Sequence, residues 1–173
     1  MRVNTLNSIQ ILSSIYGLGL GCAVWSKEEL IKWCDLVIET NDIPPYEIIE
    51  ASLMSNANIY DIEAKLFELR GSSEEVLEVN LLLSIISQKV RLKQLSYVEA
   101  NKCIARLLLQ TGLNWEAEYC NLYGFDDSFD LVNDGFFLLN DIIDGFIEEL
   151  SYFDKYLNEF KLIYFNAVQR EWN

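Results

Sequence analysis

The C-terminal part of the chain, from Tyr123 to Phe165, reads YGFDDSFDLVNDGFFLLNDIIDGFIEELSYFDKYLNEFKLIYF. Acidic residues and large aromatic residues interleave along this stretch, and Lys155 and Lys161 are its only basic residues. The apolar residues recur at spacings of three and four, which is the period of one face of an α-helix. The stretch therefore predicts helices with an aromatic inner face and an acidic outer face.

The acidic residues of this stretch also follow helical spacing. Asp126, Asp130 and Asp134 lie four residues apart, so they share one face of a helix. Three interpretations fit this row: a solvated outer face, a docking surface for a basic partner, or a site for Mg²⁺ or Ca²⁺, which prefer carboxylate ligands. The chain has no EF-hand loop with its central Gly and closing Glu, so we predict no metal site.

The aromatic residues of the stretch have two possible roles. Their mixed spacing of three and four is that of a helix core, and we expect most of them to be buried. Tyr and Trp side chains left at the rim would be good anchors for a partner. The residues concerned are Phe136, Phe137, Phe146, Phe153, Tyr156, Phe160, Tyr164 and Phe165.

The charge of the chain is concentrated at one end. The net charge is −14 over 173 residues, but residues 1–114 carry 14 acids and 10 bases whereas residues 115–173 carry 13 acids and 3 bases. Such an acidic section favours association with basic proteins and disfavours nucleic acid and anionic lipid. A smaller basic cluster could pair with these acids, within the fold or in a second copy; it comprises Lys89, Arg91, Lys93, Lys102 and Arg106.

The composition excludes several kinds of active site. The chain has no histidine, which removes Ser-His-Asp and Cys-His catalysis and His-ligated zinc. It contains no Walker loop, dinucleotide-binding fingerprint, HExxH or GxSxG motif. We therefore expect a non-enzymatic protein without a cofactor, and an enzyme that uses carboxylates and a divalent metal is the weaker alternative.

The cysteines and the N-terminal segment point to the cytoplasm. No two of Cys22, Cys34, Cys103 and Cys120 form a CxxC pair, and free cysteines within apolar helical patterns suit a reducing compartment. Two disulfides in a secreted protein are the alternative. The apolar segment Ile9 to Trp25 is too short and too polar to span a membrane, and we expect it to form a folded helix.

Start and stop signals predict an all-α fold, either an irregular bundle or a short array of seven to nine helices. We expect a single domain over residues 1–173, with an acidic-aromatic section from about residue 115. Ser26 with Glu29, and Ser96 with Glu99, form capping boxes. We expect the first helix to run from Thr5 to Tyr16 and to be stopped by a Gly-rich turn that contains Gly17, Gly19 and Gly21. Further helices are expected after Pro44-Pro45, from Ile59 to Leu69, after a cap at Ser72-Ser73, and from Trp115 to Leu122 with a stop at Gly124. The closing section should reach Trp172 as one or two helices, with breaks at Gly135 and Gly145.

Two segments of the chain look alike. Ser26 to Cys34 and Ser96 to Ile104 share a Ser, a Glu three residues later and a Lys six residues later. Two capped amphipathic helices share these features by default, and an internal repeat is the alternative interpretation.

The segment from Trp25 to Trp33, WSKEELIKW, followed by Ile43 to Ile49, IPPYEII, resembles small acidic bacterial proteins found beside secreted polymorphic toxins. The resemblance covers about 45 residues and implies an immunity protein that binds and blocks a toxin. It carries over no functional residue.

These observations lead to a specific functional hypothesis. The chain is expected to be a cytoplasmic immunity protein or inhibitor that occludes a basic toxin by charge complementarity; the alternative is a self-associating scaffold, for which a homodimer is one form. Acidic residues should steer association and an aromatic residue should anchor it. The predicted partner-binding residues are Tyr123, Phe125, Asp126, Asp127, Phe129, Asp130 and Asp134.

Overall fold

The computed structural model of the protein describes residues 3–71 and 75–172. These residues form an all-α fold, as predicted, with nine α-helices, one 3₁₀ turn and no strand in the part described. The elements are α1 Val3–Gly21, α2 Lys27–Thr40, α3 Tyr46–Ser52, α4 Ile59–Glu68, α5 Glu75–Arg91, α6 Tyr97–Thr111, α7 Cys120–Asn133, α8 Leu139–Ser151, the 3₁₀ turn Tyr152–Tyr156, and α9 Leu157–Val168.

The chain divides into two compact units, the first made of residues up to Glu78 together with those from Asn158 onward. At the core of this unit the ring of Tyr16 stacks on Trp25 and Trp33, with ring centroids 4.8 and 4.4 Å apart. Burial raises the pKa of Tyr16 well above its usual value. The Asn41 side chain donates a hydrogen bond of 3.1 Å to the carbonyl of Ala167, which ties the end of α2 to α9.

The second unit spans Val79–Leu157 and contains the acidic-aromatic section as far as Leu157, whereas the rest of that section, from Asn158, belongs to the first unit. Tyr119 stacks on Phe153 at 5.9 Å and donates a hydrogen bond of 2.8 Å to the side chain of Asn80. Burial, followed by the charge of Glu118, raises the pKa of Tyr119 to about 12. The ring stack thus joins the N-terminal end of α7 to the 3₁₀ turn, and the hydrogen bond joins it to α5.

Four helices in the described part of the chain end in the same left-handed turn, and after three of them the next helix begins four residues later. The fourth, at Gly112 with φ of 70°, is followed by a helix only at Cys120. At Ala23, Lys93 and Gly135 the backbone is left-handed, with φ of 64°, 57° and 80°. Each of these residues donates its N–H to the carbonyl three residues back, and the next residue donates to the carbonyl five residues before it. This is the Schellman arrangement that satisfies the last carbonyls of a helix. We call these the α1–α2 corner (residues 22–26), the α5–α6 corner (residues 92–96) and the α7–α8 corner (residues 134–138).

A carboxylate starts the second helix of every corner. Glu29 accepts from the Ser26 N–H at 2.7 Å, and Glu99 accepts from the Ser96 N–H at 2.8 Å. Both Ser hydroxyls accept in return, so the two predicted capping boxes are confirmed. In the α7–α8 corner Asp141 caps the N–H of Leu138 at 3.2 Å, but leucine offers no oxygen in return.

The predicted similarity of Ser26–Cys34 and Ser96–Ile104 reaches further than the cap. An offset of 70 residues relates the whole of the first corner to the second, and the core positions on both sides of the corner follow the same offset. The pairs in which both residues are apolar and buried are Ile9/Val79, Leu12/Leu82, Ile15/Ile85, Tyr16/Ile86, Leu30/Ala100, Trp33/Cys103, Cys34/Ile104 and Val37/Leu107. The two helical pairs thus share a corner and a set of buried apolar positions, and the internal repeat stays a prediction.

Three predicted helix ends and one predicted break are wrong. The first helix does not end at Tyr16 but passes through Gly17 and Gly19 and ends at Gly21, the last of the three predicted stop glycines. Gly17 lies against α4, where a Cβ would meet the ring of Phe67 at 3.1 Å. The helix predicted to stop at Gly124 instead begins at Cys120 and runs through that glycine to Asn133. Gly145 lies inside α8, and the last helix ends at Val168 rather than Trp172.

The other expected boundaries agree with the structure where it describes them. The break at Gly135 is confirmed, as is the helix start after Pro45. The cap predicted at Ser72-Ser73 lies outside the described residues. Among the eight aromatic residues expected in the core, four are buried, Phe146, Phe153, Phe160 and Tyr164, whereas Tyr156 is half-buried and Phe136, Phe137 and Phe165 are exposed.

Candidate protein-binding surface

All but one of the predicted partner-binding residues lie within α7, and the last, Asp134, is its C-cap. Asp127, Asp130 and Asp134 are exposed. Their spacing of three and four places them on one face of the helix. In the described part of the chain none of the three forms an ion pair with Lys or Arg, so α7 presents a row of uncompensated carboxylates to solvent.

Asp126 differs from the other three aspartates. It is half-buried, and its carboxylate accepts a hydrogen bond of 3.0 Å from the side-chain amide of Asn101 on α6. Its role inside the second unit is to join α7 to α6. Of the four predicted steering aspartates, the structure therefore groups three and separates Asp126.

The three aromatic candidates differ in their exposure. Phe129 is only 3% exposed and meets the ring of Phe146 edge-on at 5.3 Å, so it is a core residue and has no surface with which to anchor a partner. Phe125 is half-buried against the same ring at 5.5 Å. Tyr123 is also half-buried, but it lies 6.3 Å from the ring of Trp115, which is 82% exposed. Tyr123 is thus the best placed of the three.

The α7–α8 corner carries apolar residues that the sequence did not single out. Phe136, Phe137 and Leu138 are consecutive and are 75%, 48% and 72% exposed. They directly follow Gly135 and lie between Asp134 and Asp141 in the sequence. The signal was present in the sequence, because a run of large apolar residues directly after a helix-ending Gly has no helical face on which to be buried.

A second acidic feature is an open depression of about 590 Å³ whose lining includes Glu118, Asn121, Glu148 and Glu149. The Asn121 amide donates to Glu149 at 3.4 Å. Beside it, the Lys155 ammonium lies 3.7 Å from the centre of the Tyr152 ring. Glu118 and the adjacent pair Glu148 and Glu149 come from two separate parts of the chain, a convergence that sequence spacing could not reveal.

The charged residues in this section of the sequence are all negative. From Leu107 to Asp154 the chain has eleven acids and neither Lys nor Arg. In the predicted basic cluster, Lys89 is buried and Arg91 pairs with Asp154, which also accepts from the Ser87 hydroxyl at 2.7 Å, whereas Lys93, Lys102 and Arg106 are exposed outside the α7–α8 section. The surface of the α7–α8 section is therefore strongly negative.

The described residues contain no group of three His, Cys, Asp or Glu side chains arranged to hold a metal ion. None of the helices described is both long enough and apolar enough to cross a membrane. Comparison of the chain with protein-family models, curated proteins and solved structures found no match.

Proposed function

We propose that the protein is a non-enzymatic binding protein that recognises a basic protein partner through the acidic surface of α7 and the α7–α8 corner. The observation that carries this proposal is the run from Leu107 to Asp154, in which eleven acids stand without a single Lys or Arg. Three of these acids, Asp127, Asp130 and Asp134, share an exposed face of α7. Their combined field would speed the approach of a positively charged partner.

The specific role that we propose is that of a cytoplasmic immunity protein that blocks a basic toxin. It is supported by the resemblance of Trp25–Trp33 and Ile43–Ile49 to immunity-type proteins and by this acidic surface. A basic cleft is a natural target for such a surface, because opposite potentials raise association rates and disfavour wrong partners. In this role the carboxylates steer the encounter, and Tyr123 with Trp115 contributes aromatic contact area at the edge of the interface.

The test is a pull-down from the source cells with the whole chain as bait, at low and at high salt, followed by purification of what is retained. We expect one basic protein that is released as salt rises, and whose own toxic activity the chain inhibits. Replacing Asp127, Asp130 and Asp134 together by Lys should slow its association by a factor of about ten to a thousand. Stopped-flow or surface plasmon resonance measures this rate.

The matched control reverses three exposed acids elsewhere, Glu28, Asp35 and Asp42. It changes the net charge by the same amount but leaves the α7 face intact. If the two triple variants bind equally well, the proposed surface is wrong. Recovery of only a second copy of the chain would instead support the self-associating scaffold.

A further inference from the structure

The apolar residues of the α7–α8 corner are held in place rather than loosely displayed. The N–H groups of Phe136 and Phe137 both donate to the carbonyl of Leu131, at 2.9 and 3.4 Å. Leu138 is fixed in turn by Asp141, whose carboxylate caps its N–H. These hydrogen bonds fix the backbone of the corner, so a partner does not have to order that backbone on binding.

The other corners show how unusual this display is. The residues that correspond to Phe136 and Phe137 in the α1–α2 corner are Val24 and Trp25, and both are buried in the first unit. In the α5–α6 corner they are Gln94 and Leu95, the first of them polar and exposed. Only the α7–α8 corner, among the three, combines large aromatic residues with exposure. A rigid exposed aromatic cluster of this kind is typical of an interface anchor.

The charges beside the corner decide what kind of molecule covers it. Asp130 and Asp134 precede it and Asp141 and Asp144 follow it, and all four are exposed. A second copy docking through the same patch would bring these carboxylates together, and like charges in an interface cost binding energy. An anionic membrane would be repelled for the same reason. A basic protein with an apolar pocket satisfies both the aromatic cluster and its acidic border.

We infer that Phe136, Phe137 and Leu138 form the hydrophobic anchor of the interface, inserting into an apolar pocket of the basic partner while Asp130, Asp134 and Asp141 face Lys or Arg side chains at its rim. The inference rests on the proposed function and deepens it, since it names the residues that hold the partner after the α7 face has steered it. The arrangement matches the usual anatomy of an interface, with an apolar centre and a polar border.

The first experiment locates the contact. The full chain with p-benzoylphenylalanine in place of Phe136 is irradiated in the source cells, alongside a chain with the same group in place of Leu53, an exposed residue of the first unit. We expect a cross-link to a basic protein from position 136 and none to that protein from position 53. A cross-link only to a second copy, or no cross-link above background, overturns the inference.

The second experiment measures the contribution of the anchor. The purified basic protein is titrated by calorimetry with the wild-type chain, with Phe136→Ser/Phe137→Ser, and with the control Leu53→Ser/Tyr60→Ser. We expect the corner variant to raise Kd by about 100-fold, as for two anchor residues, and the control to leave Kd unchanged. Both variants change exposed residues, and circular dichroism before titration checks that both are folded.

The outcomes separate the anchor from the proposed function. If Asp127→Lys/Asp130→Lys/Asp134→Lys weakens binding while Phe136→Ser/Phe137→Ser binds like the wild type, the anchor is wrong and the acidic binding surface stands. If neither variant weakens binding, both proposals fail.

Discussion

The α1–α2 corner and the α7–α8 corner share one backbone and use it in opposite ways. In both, a left-handed residue ends the first helix and a carboxylate caps the second. The two residues after the left-handed position are Val24 and Trp25 in one, at 2% and 5% exposure, and Phe136 and Phe137 in the other, where they face solvent. The same turn thus closes the core of the first unit and displays an apolar cluster in the second.

Whether these side chains are buried therefore depends on what packs against the corner and not on the corner itself. Trp25 has the ring of Tyr16 at 4.8 Å to cover it. Burying such side chains stabilises a fold by about 1.5–3 kcal/mol each. Within the chain the α7–α8 corner does not gain this stabilisation, because its side chains stay exposed. Burial of the same side chains by a partner can contribute it to binding instead.

The largest effect expected from this comparison is on stability. Trp25→Ala should lower the free energy of unfolding by about 3–5 kcal/mol, because it leaves a cavity beside Tyr16. Phe136→Ala should change it by less than about 0.5 kcal/mol, because the side chain is exposed. Urea denaturation followed by circular dichroism gives both values. A loss of several kcal/mol in Phe136→Ala would show that the corner is covered within the chain.

Alkaline pH tests how much the buried Tyr119 contributes to the stability of the fold. The pKa of Tyr119 is raised to about 12, whereas a tyrosine of the unfolded chain ionises near pH 10. Its contribution to stability is therefore complete below about pH 10 and is lost as the pH rises towards 12. Tyr119→Phe should reduce this alkaline loss without abolishing it, since Tyr16 is also buried. Denaturation midpoints from pH 8 to 11.5 measure the effect, and identical pH profiles would contradict it.

The left-handed positions of the two corners should respond in opposite directions. Gly135→Ala places a Cβ at a φ of 80° and should cost about 1–2 kcal/mol. Ala23→Gly relieves the same strain at a φ of 64°, and its gain is reduced to about 0.5 kcal/mol by the greater freedom of glycine in the unfolded chain. Thermal unfolding of both variants gives the signs, and a stabilising Gly135→Ala would contradict the corner geometry.

The smallest effect separates stability from binding at one position. Leu138 occupies a helix N-cap without a side-chain acceptor, so Leu138→Ser should add a hydrogen bond and about 0.5 kcal/mol of stability. The same change removes one apolar residue of the proposed anchor and should weaken partner binding. The control is Ser26→Ala, which should destabilise the fold by about 1 kcal/mol through loss of an existing cap and leave partner binding unchanged. Tighter binding by Leu138→Ser would argue against the anchor.

Local signals in the sequence predicted the parts of the fold that local contacts decide. Both capping boxes involve residues three apart, and Gly135 ends α7 because its backbone is left-handed. The predicted helix end at Tyr16 is wrong because Gly17, the first of the three predicted stop glycines, instead admits a distant ring, Phe67, which packs where a Cβ would stand. A glycine that ends a helix and a glycine that admits a neighbouring helix look identical in the sequence.

For the candidate surface, too, the sequence predicted what depends on spacing within one helix and missed what depends on contacts between helices. Spacing alone placed Asp126, Asp130 and Asp134 on one helix face, and the structure has Asp130 and Asp134 exposed there, with Asp127 beside them in place of the half-buried Asp126. Spacing could not show that Asn101 engages Asp126, or that Phe129 is buried against Phe146, because both contacts join separate helices. For the same reason the helical period suggested that Phe136 and Phe137 belong to the core, although they lie in a corner where that period does not apply.

Hydrogen exchange of the complex tests the central claim most directly. The full chain is labelled alone and with the purified basic partner, and deuterium uptake is compared for peptides that cover residues 127–141 and residues 20–30. The account predicts slower exchange on binding across residues 127–141 and no change across residues 20–30. Protection elsewhere in the chain, with residues 127–141 unchanged, would contradict it.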